Sequence, residues 1–534
     1  MEREKRRSLF NLIRNDVSSY IYNGYILYGY THILAVILDK IKKIKSSKGD
    51  SFVPRICLVT DNILVSNAFF LYGMLTNTYL LIIPTKLKDF QLSIANFIQS
   101  SNCNIIIHDG SQLFDKKMFI GNKIYIEANS LLTKQSKSDT NEILDQIKGK
   151  SFASFSSVIV NNSVFGVVSS GSFHSNRIYD ISYDMVYERM NSFREEHQAA
   201  TLPNTILVGK WAQMFGFFSL YPILNKNHIR RYFLFNEIEE YVESSIFKSN
   251  FMHSLLIFSS ELRKAWDDVV LEMNKRKFIF NLNKYGFMRN IINFLLAKKL
   301  ERKYLLRVLN VHIINNDFGN DAIDVFRISC CKFTSSYGTL EAANFIAYKN
   351  NLLFTSDKYR YLYGGLIKKN HFKYASIAMA NTNDAGFGEL FFINNDYPVE
   401  SFTEDMCSMI SENMFEEDGN FLCYHGKKGT ELGSSNHIYA EDAVKSFKDS
   451  LLIRDIFIHY FSVKQAKTNY LLIEPRKELL DLHIVKYYEF NKFIKDLVDR
   501  IEDSLNIRIK SKMVSSFNQF RTISGRIALY LLPK

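Results

Sequence analysis

The chain has 534 residues, of which 47% are hydrophobic and 23% charged, with only seven prolines. That balance excludes a disordered chain and a coiled coil, and the length asks for two or more packed units. The formal net charge of +12 admits three readings: a basic groove for nucleic acid, anionic small substrates such as nucleotides, or lysines spread over solvated faces. Only "EREKRR" near the start is a true cluster, and no aromatic-basic motif accompanies it, so no nucleic-acid partner is expected.

The N-terminal "MEREKRRSLFNLIRND" holds no continuous apolar segment of signal-peptide length. "RICLVT" (55–60) reads as a strand, and the "DN" after it can cap a helix through "ILVSNAFFLYGMLTN". "TYLLIIP" (78–84) is the next strand, "LKDFQLSIANFIQSS" the next helix, and "CNIIIHD" (103–109) and "KIYIEAN" (123–129) two further strands. The most apolar window, Val65 to Pro84, is broken by Ser66, Asn67, Thr76, Asn77 and Thr78. It reads as a buried helix followed by a strand, and no membrane span is expected. Apolar strands alternating with helices predict an α/β fold with βαβ units and parallel or mixed sheets covered by helices on both faces.

Residues 232–305 look mostly helical, with many aromatics. "YHGKKGTELGSSNHIY" (424–439) interrupts the apolar pattern and is the best linker. Beyond it the expected order is helix (441–452), strand (455–461), strand (469–474), helix (487–504) and strand (506–510), a small α+β domain. The predicted domains are therefore a large one over 1–428 and a small C-terminal one over 429–534. The six cysteines, at 57, 103, 330, 331, 407 and 423, show no C-x-x-C and no His at ligand spacing. Reduced thiols in a cytoplasmic protein are expected, without a zinc site or disulfide framework.

Three short motifs carry chemistry. "VVSSGSFHSNR" (167–177) places Ser169, Ser170, Gly171 and Ser172 after a strand, with Arg177 following. Backbone N–H groups and hydroxyls there can face phosphate oxygens, although Ser and Gly dominate ordinary turns too. "SSYGTLEAANF" (335–345) has a Tyr337–Gly338 turn leading to Glu341, a carboxylate for a metal ion or for a helix start. "RTISGRIALYLL" (521–532) is a basic Ser-Gly turn before an apolar helix.

In this order and at these places the three resemble the adenylate-forming superfamily of acyl-CoA synthetases and peptide-synthetase adenylation domains. That family carries TSGTTGxPKG, then YGxTE, then a hinge, then PxTxSGKxxR. Ser169, Ser170, Gly171 and Ser172 match the first motif, with Arg177 in place of Lys. Tyr337, Gly338 and Glu341 match the second; Thr522, Ser524 and Gly525 match the last, with Arg526 where a catalytic Lys would stand. Weaker similarities are "LVGKWAQMFGFFSLYPILNKN" (207–227), "GFGELFFI" (386–393), "EEDGNFLCYHGKKG" (416–429) and "YTHILAVILDKI" (30–41). The departures are Phe173 and His174 in the first loop, Leu340 for Thr, and "HIINN" (312–316) where Gly-Gly-Ala lies against adenine. The family's TGD Asp, which holds the ribose, aligns near Ser411 beside Glu412, and its hinge-side Arg near Gly426.

The resemblance implies ATP-dependent activation of a carboxylic acid as an acyl-adenylate, followed by transfer to a thiol of CoA or of a carrier protein's phosphopantetheine. It assigns Mg2+ to Glu341, the β- and γ-phosphates to Ser169–Ser172 and Arg177, and the reacting carboxylate and α-phosphate to Arg526. It makes Tyr337 and Gly338 nucleotide contacts and puts a hinge at Lys428–Gly429. The aromatic richness of 211–221 suggests an apolar or aromatic acid. The altered nucleotide motifs suit a second reading, a catalytically impaired protein of this fold that binds a ligand or partner.

Overall fold

The computed structural model describes residues 9, 12–13, 18–85, 90–110, 123–132, 164–168, 178–197, 204–209, 230–275, 286–315, 318–330, 332–339, 342, 345–368, 375–382, 386–394, 400–411, 419–428, 430–432, 438–445, 452–463, 466–481 and 485–516. These fall into two compact units, one formed mainly by the chain up to Glu237 and one mainly by the chain from Ile238.

In the first unit β1 (Ser19–Tyr22) and β2 (Tyr25–Tyr28) form a hairpin whose turn residues, Asn23 and Gly24, both have positive φ. That is the turn geometry whose twist matches a two-residue hairpin. After α1 (Thr31–Lys48) comes β3 (Arg55–Val59), and then α2 (Ile63–Thr76), started by Asn62, whose side chain accepts from the Val65 amide at 3.2 Å. Every residue of α2 from Ile63 to Leu75 is buried, as expected for a helix that is apolar all round. The apolar window from Val65 is therefore a core helix running into β4 (Tyr79–Ile82). Next come α3 (Phe90–Ser100), β5 (Ile105–His108) and β6 (Ile124–Glu127). With β7 (Val164–Val168) and β8 (Ile178–Ser182) they give a six-stranded sheet of order β6-β5-β3-β4-β7-β8. It is parallel except for the β7–β8 pair. The predicted βαβ run is present. α4 (Tyr183–His197), β9 (Asn204–Val208) and β10 (Arg231–Phe235) follow, and β9, β10 and β1 pair in parallel.

The second unit holds α5 (Ile238–Glu243), β11 (His253–Phe258), α6 (Ser259–Lys275), α7 (Gly286–Lys303), β12 (Val308–Ile314), α8 (Asn320–Ser329) and β13 (Lys332–Tyr337). The mostly helical reading of 232–305 holds over α5, α6 and α7, but β10 and β11 are strands within it. "HSLLIF" is buried at every position, and a short apolar run buried on both faces shows no period that separates strand from helix. Strands β11, β12 and β13 are parallel neighbours. The chain then turns antiparallel through β14 (Ala347–Lys349), α9 (Asn351–Thr355), β15 (Gly364–Lys368), β16 (Ala375–Ala380), β17 (Phe387–Asn394), β18 (Glu400–Ser411) and β19 (Gly419–Lys427). The order across these strands is β16-β17-β18-β19-β15-β14-β13-β12-β11. At Gly365 a side chain would strike the Tyr348 backbone, with an added Cβ at 2.5 Å from its carbonyl carbon.

The expected linker begins one strand too early, because Tyr424 to Lys427 complete β19. Two short strands, β20 (Glu431–Leu432) and β21 (Ile438–Tyr439), pair before α10 (Ala440–Val444). Next come β22 (Ile453–Val463), β23 (Ala466–Pro475), α11 (Lys477–Asp481), α12 (Tyr487–Leu505) and β24 (Ile509–Met513), with sheet order β22-β23-β24. The helix α12 buries Phe490, Ile494, Leu497 and Ile501, a stripe at helical spacing. Its partners in one buried cluster are Ile456, Ile458, Leu471 and Ile473 of the sheet. The large α/β part and the small C-terminal α+β part expected from sequence are both present.

Beside the proposed hinge, β19 is tied to α10. Tyr424 donates to Glu441 at 2.9 Å, and His425 Nδ1 meets Asp442 at 2.6 Å while its Nε2 meets Ser408 at 2.8 Å. Burial alone would lower the His425 pKa; hydrogen bonding to Asp442 and Cys423 and their charges outweigh it and carry it up to about 9. A raised folded-state value stabilises the fold fully below the ordinary value near 6.5, and that increment is lost as pH rises through about 9. Asp442 keeps roughly a third of its side chain in water, which screens the pair to roughly 1–2 kcal/mol. Urea unfolding of Asp442→Asn against the wild type should show a deficit of that size near pH 6 that shrinks toward pH 10. A deficit independent of pH would show that the ion pair is not its source.

Candidate functional site

Of the predicted site residues, Tyr337 and Gly338 are described. Ser169, Ser170, Gly171, Ser172, Arg177, Glu341 and Arg526 lie outside the described residues, as does Gly429. The elements that flank them are defined. Residues 169–177 join β7 to β8, whose ends face each other with Val168 opposite Ile178. Glu341 falls between Thr339 and Ala342, both buried. Four residues after Glu341, the Phe345 carbonyl accepts from Arg189 at 3.4 Å, and the Phe345 ring meets Phe193 edge-on at 5.4 Å. Arg189 is itself held by Glu188 at 2.8 Å in a buried ion pair on α4.

Tyr337 ends β13, and its hydroxyl donates to Asp405 Oδ2 at 2.5 Å. Its ring packs on Tyr424 with 5.6 Å between centroids. Asp405 sits in β18 and is 0% exposed. Directly across the antiparallel ladder stands Lys427 of β19, whose Nζ lies 2.6 Å from Asp405 Oδ1 and 2.8 Å from the Thr403 carbonyl. A buried carboxylate needs such partners, because an unpaired one costs several kcal/mol. Thr403 turns its hydroxyl to the Leu390 carbonyl at 2.7 Å and also accepts from the Asp405 amide at 3.1 Å. Between them Glu404 has φ +58, a left-handed backbone that costs a residue with a Cβ about 1 kcal/mol and suits glycine.

Thr403–Glu404–Asp405 is thus a turn within β18 whose middle residue has the left-handed backbone that glycine favours. Ser411 and Gly426, where the resemblance aligned its ribose Asp and hinge-side Arg, lie on the same hairpin. Ser411 pairs with Asn420 far along the same hairpin, whereas Asp405 pairs with Lys427. Sequence reading passed over Asp405 because the residue before it is Glu404 rather than a glycine. The available signal was the pairing of an acid after Thr with a base after Gly.

The segment "HIINN" is the end of β12. His312 is buried and bonded to Thr334 at 2.9 Å and to Ser336 at 3.0 Å, and its ring stacks on Tyr348. Asn315, just past the strand, has φ +55 and donates its amide to the Ser336 carbonyl at 2.9 Å. Asn315, Tyr337 and Thr339 thus lie at the carboxyl ends of two neighbouring parallel strands, where open α/β sheets place ligands. Among the described residues no group of three His, Cys, Asp or Glu could hold a metal ion. No helix among them is long and apolar enough to cross a membrane.

No protein-family model matches the sequence, and no curated protein does. Solved structures match it along its length. o-Succinylbenzoate CoA synthetase from Bacillus subtilis, in complex with its acyl-adenylate intermediate OSB-AMP, is 11% identical with a TM-score of 0.65, over 98% of this chain and 96% of that one. Benzoate CoA ligase from Burkholderia xenovorans is 10% identical with a TM-score of 0.66, over 98% of each chain. McyG A-PCP complexed with phenylalanyl-adenylate is 10% identical with a TM-score of 0.64, over 98% and 93%. The chain has the fold of the adenylate-forming superfamily, in strongly divergent sequence.

Proposed function

We propose that this protein activates a carboxylic acid as its acyl-adenylate at the expense of ATP and passes the acyl group to a thiol. In the first step a carboxylate oxygen bonds to the α-phosphorus and the bond to the β-bridging oxygen breaks, releasing pyrophosphate. In the second a thiolate bonds to the acyl carbon and AMP leaves. Charge gathers on phosphoryl oxygens, so catalysis consists of positioning and electrostatic stabilisation. The observation that carries the reading is the fold, which is similar over nearly the whole chain to that of a CoA synthetase solved with its acyl-adenylate and of a benzoate CoA ligase. Tyr337 at the end of β13, joined to Asp405 of β18, adds an aromatic ring and a carboxylate of the kind that a nucleoside requires.

Within this reading Ser169–Ser172 and Arg177 receive the β- and γ-phosphates, and Arg526 steadies the carboxylate and α-phosphate. Glu341 holds Mg2+, an ion that commonly takes one or two protein carboxylates and completes its shell with substrate phosphates and water. The same synthetase from Bacillus subtilis has been solved with ATP and a magnesium ion. Tyr337 and Gly338 contact the nucleotide, and Asp405 takes the ribose hydroxyls. The thiol is that of CoA or of a carrier protein, the acid is small and apolar or aromatic, and the setting is cytoplasmic. The part from residue 429 turns about Lys428–Gly429 between the two steps.

One observation favours the second reading, a ligand- or partner-binding protein without turnover. Asp405 is fully buried, with Tyr337 and Lys427 beside its two oxygens, so a ribose reaches it only if the groups that cover it move aside.

Two measurements separate these readings. Given a panel of carboxylic acids, the wild type should exchange labelled pyrophosphate into ATP, and Glu341→Ala should lower that exchange by about 10²-fold or more. Absence of exchange with every acid, together with no calorimetric ATP binding, would sink the enzymatic reading. Asp405→Asn keeps the shape of the side chain and removes its charge. It should weaken ATP binding by roughly ten- to a hundred-fold, the range for a hydrogen bond to a charged group; unchanged affinity would remove Asp405 from the site.

A further inference from the structure

Two polar atoms at the ends of β12 and β13 are buried and have no hydrogen-bond partner among the described residues: Oδ1 of Asn315 and Oγ1 of Thr339. Thr339 is 7% exposed. Buried hydroxyls and amides are nearly always paired, and an orphan lowers stability unless something outside the chain completes it. These two are complementary, since a hydroxyl can donate and a carboxamide oxygen only accepts. They do not satisfy each other, and both lie just past the ends of neighbouring strands: Ile314 is opposite Ser336, the Asn315 backbone amide bonds to the Ser336 carbonyl, and Thr339 follows three residues on.

Neither side chain has an obvious structural duty. Asn315 is in the left-handed region, which Asn adopts more readily than other residues with a Cβ, but that preference leaves its carboxamide oxygen unexplained. Thr339 follows the Tyr337–Gly338 turn, past the last ladder pair of β13 with β14 at Tyr337 and Ala347. A hydrophobic residue would fill either volume without the penalty of an orphan.

We infer that Asn315 and Thr339 are the polar contacts by which this chain reads its nucleotide, Oδ1 of Asn315 accepting from the base's exocyclic amine and Oγ1 of Thr339 donating to an anionic phosphate oxygen. The inference rests on the nucleotide reading of the site. It adds that adenine is told from a 6-oxo purine by a side chain at the position where the resembling family has only small residues. It also returns to this strand end a hydroxyl that Leu340 does not provide.

The test is calorimetric titration of the full chain with ATP and with inosine triphosphate, which carries an oxygen in place of the amine. Thermal unfolding of the ligand-free proteins accompanies it. The wild type should prefer ATP about ten-fold or more, and Asn315→Gly, which keeps the backbone conformation open, should bring that preference to within about two-fold. Thr339→Val should weaken both nucleotides about ten-fold, with its ligand-free Tm unchanged or slightly raised because an orphan has been removed; Thr339→Ser should restore affinity. ATP binding by the wild type with either preference or affinity untouched by these variants overturns the inference and leaves the proposed function standing. A Tm lowered by several degrees in Thr339→Val also overturns it, because the hydroxyl would then be bonded within the protein. A wild type that binds neither nucleotide refutes the proposed function itself, and this inference with it.

Discussion

A single fully buried carboxylate organises the centre of the second unit. Asp405 cannot be left without partners: taking one away would cost about 3–5 kcal/mol. Its partners therefore fix the geometry around it. Lys427 sets the register of β18 against β19, and Tyr337 ties the end of the parallel strands to the antiparallel hairpin. Thr403 holds the same turn to Leu390 of β17. Four strands converge on one charge, and the strained backbone of Glu404 is the local cost of bringing it there.

The fold was legible where the physics is local. Arg55–Val59, Tyr79–Ile82 and Ile105–His108 are short, apolar and separated by helices, so pattern alone gives parallel βαβ units. α12 and its buried stripe were equally plain. The antiparallel strands from Ala347 to Lys427 were less so. Their pairing partners are set by bulges, such as those between Glu389 and Phe391 and between Met406 and Cys407, which no sequence period announces.

The site was legible by type rather than by position. Tyr337 and Gly338 were singled out because Glu341 follows them at the spacing of the resembling motif, although Tyr-Gly occurs at four other places in the sequence. Asp405 was not, because the residue before it has the backbone that glycine favours but is Glu404. Only the φ of that residue and the facing Lys427 identify the turn. Thr339 was passed over for the opposite reason. A threonine is unremarked in any sequence, and what distinguishes this one is a hydroxyl without a partner, a property of the folded state alone.

The acidic pair Glu441 and Asp442 sits on a helix of five residues, α10. One carboxylate holds Tyr424 and the next holds His425, so consecutive residues of that helix grip consecutive residues of β19. A helix this short cannot bend to release one grip while keeping the other. The two grips therefore hold or fail together, and α10 is fixed to β19 at two adjacent points rather than pivoting on one.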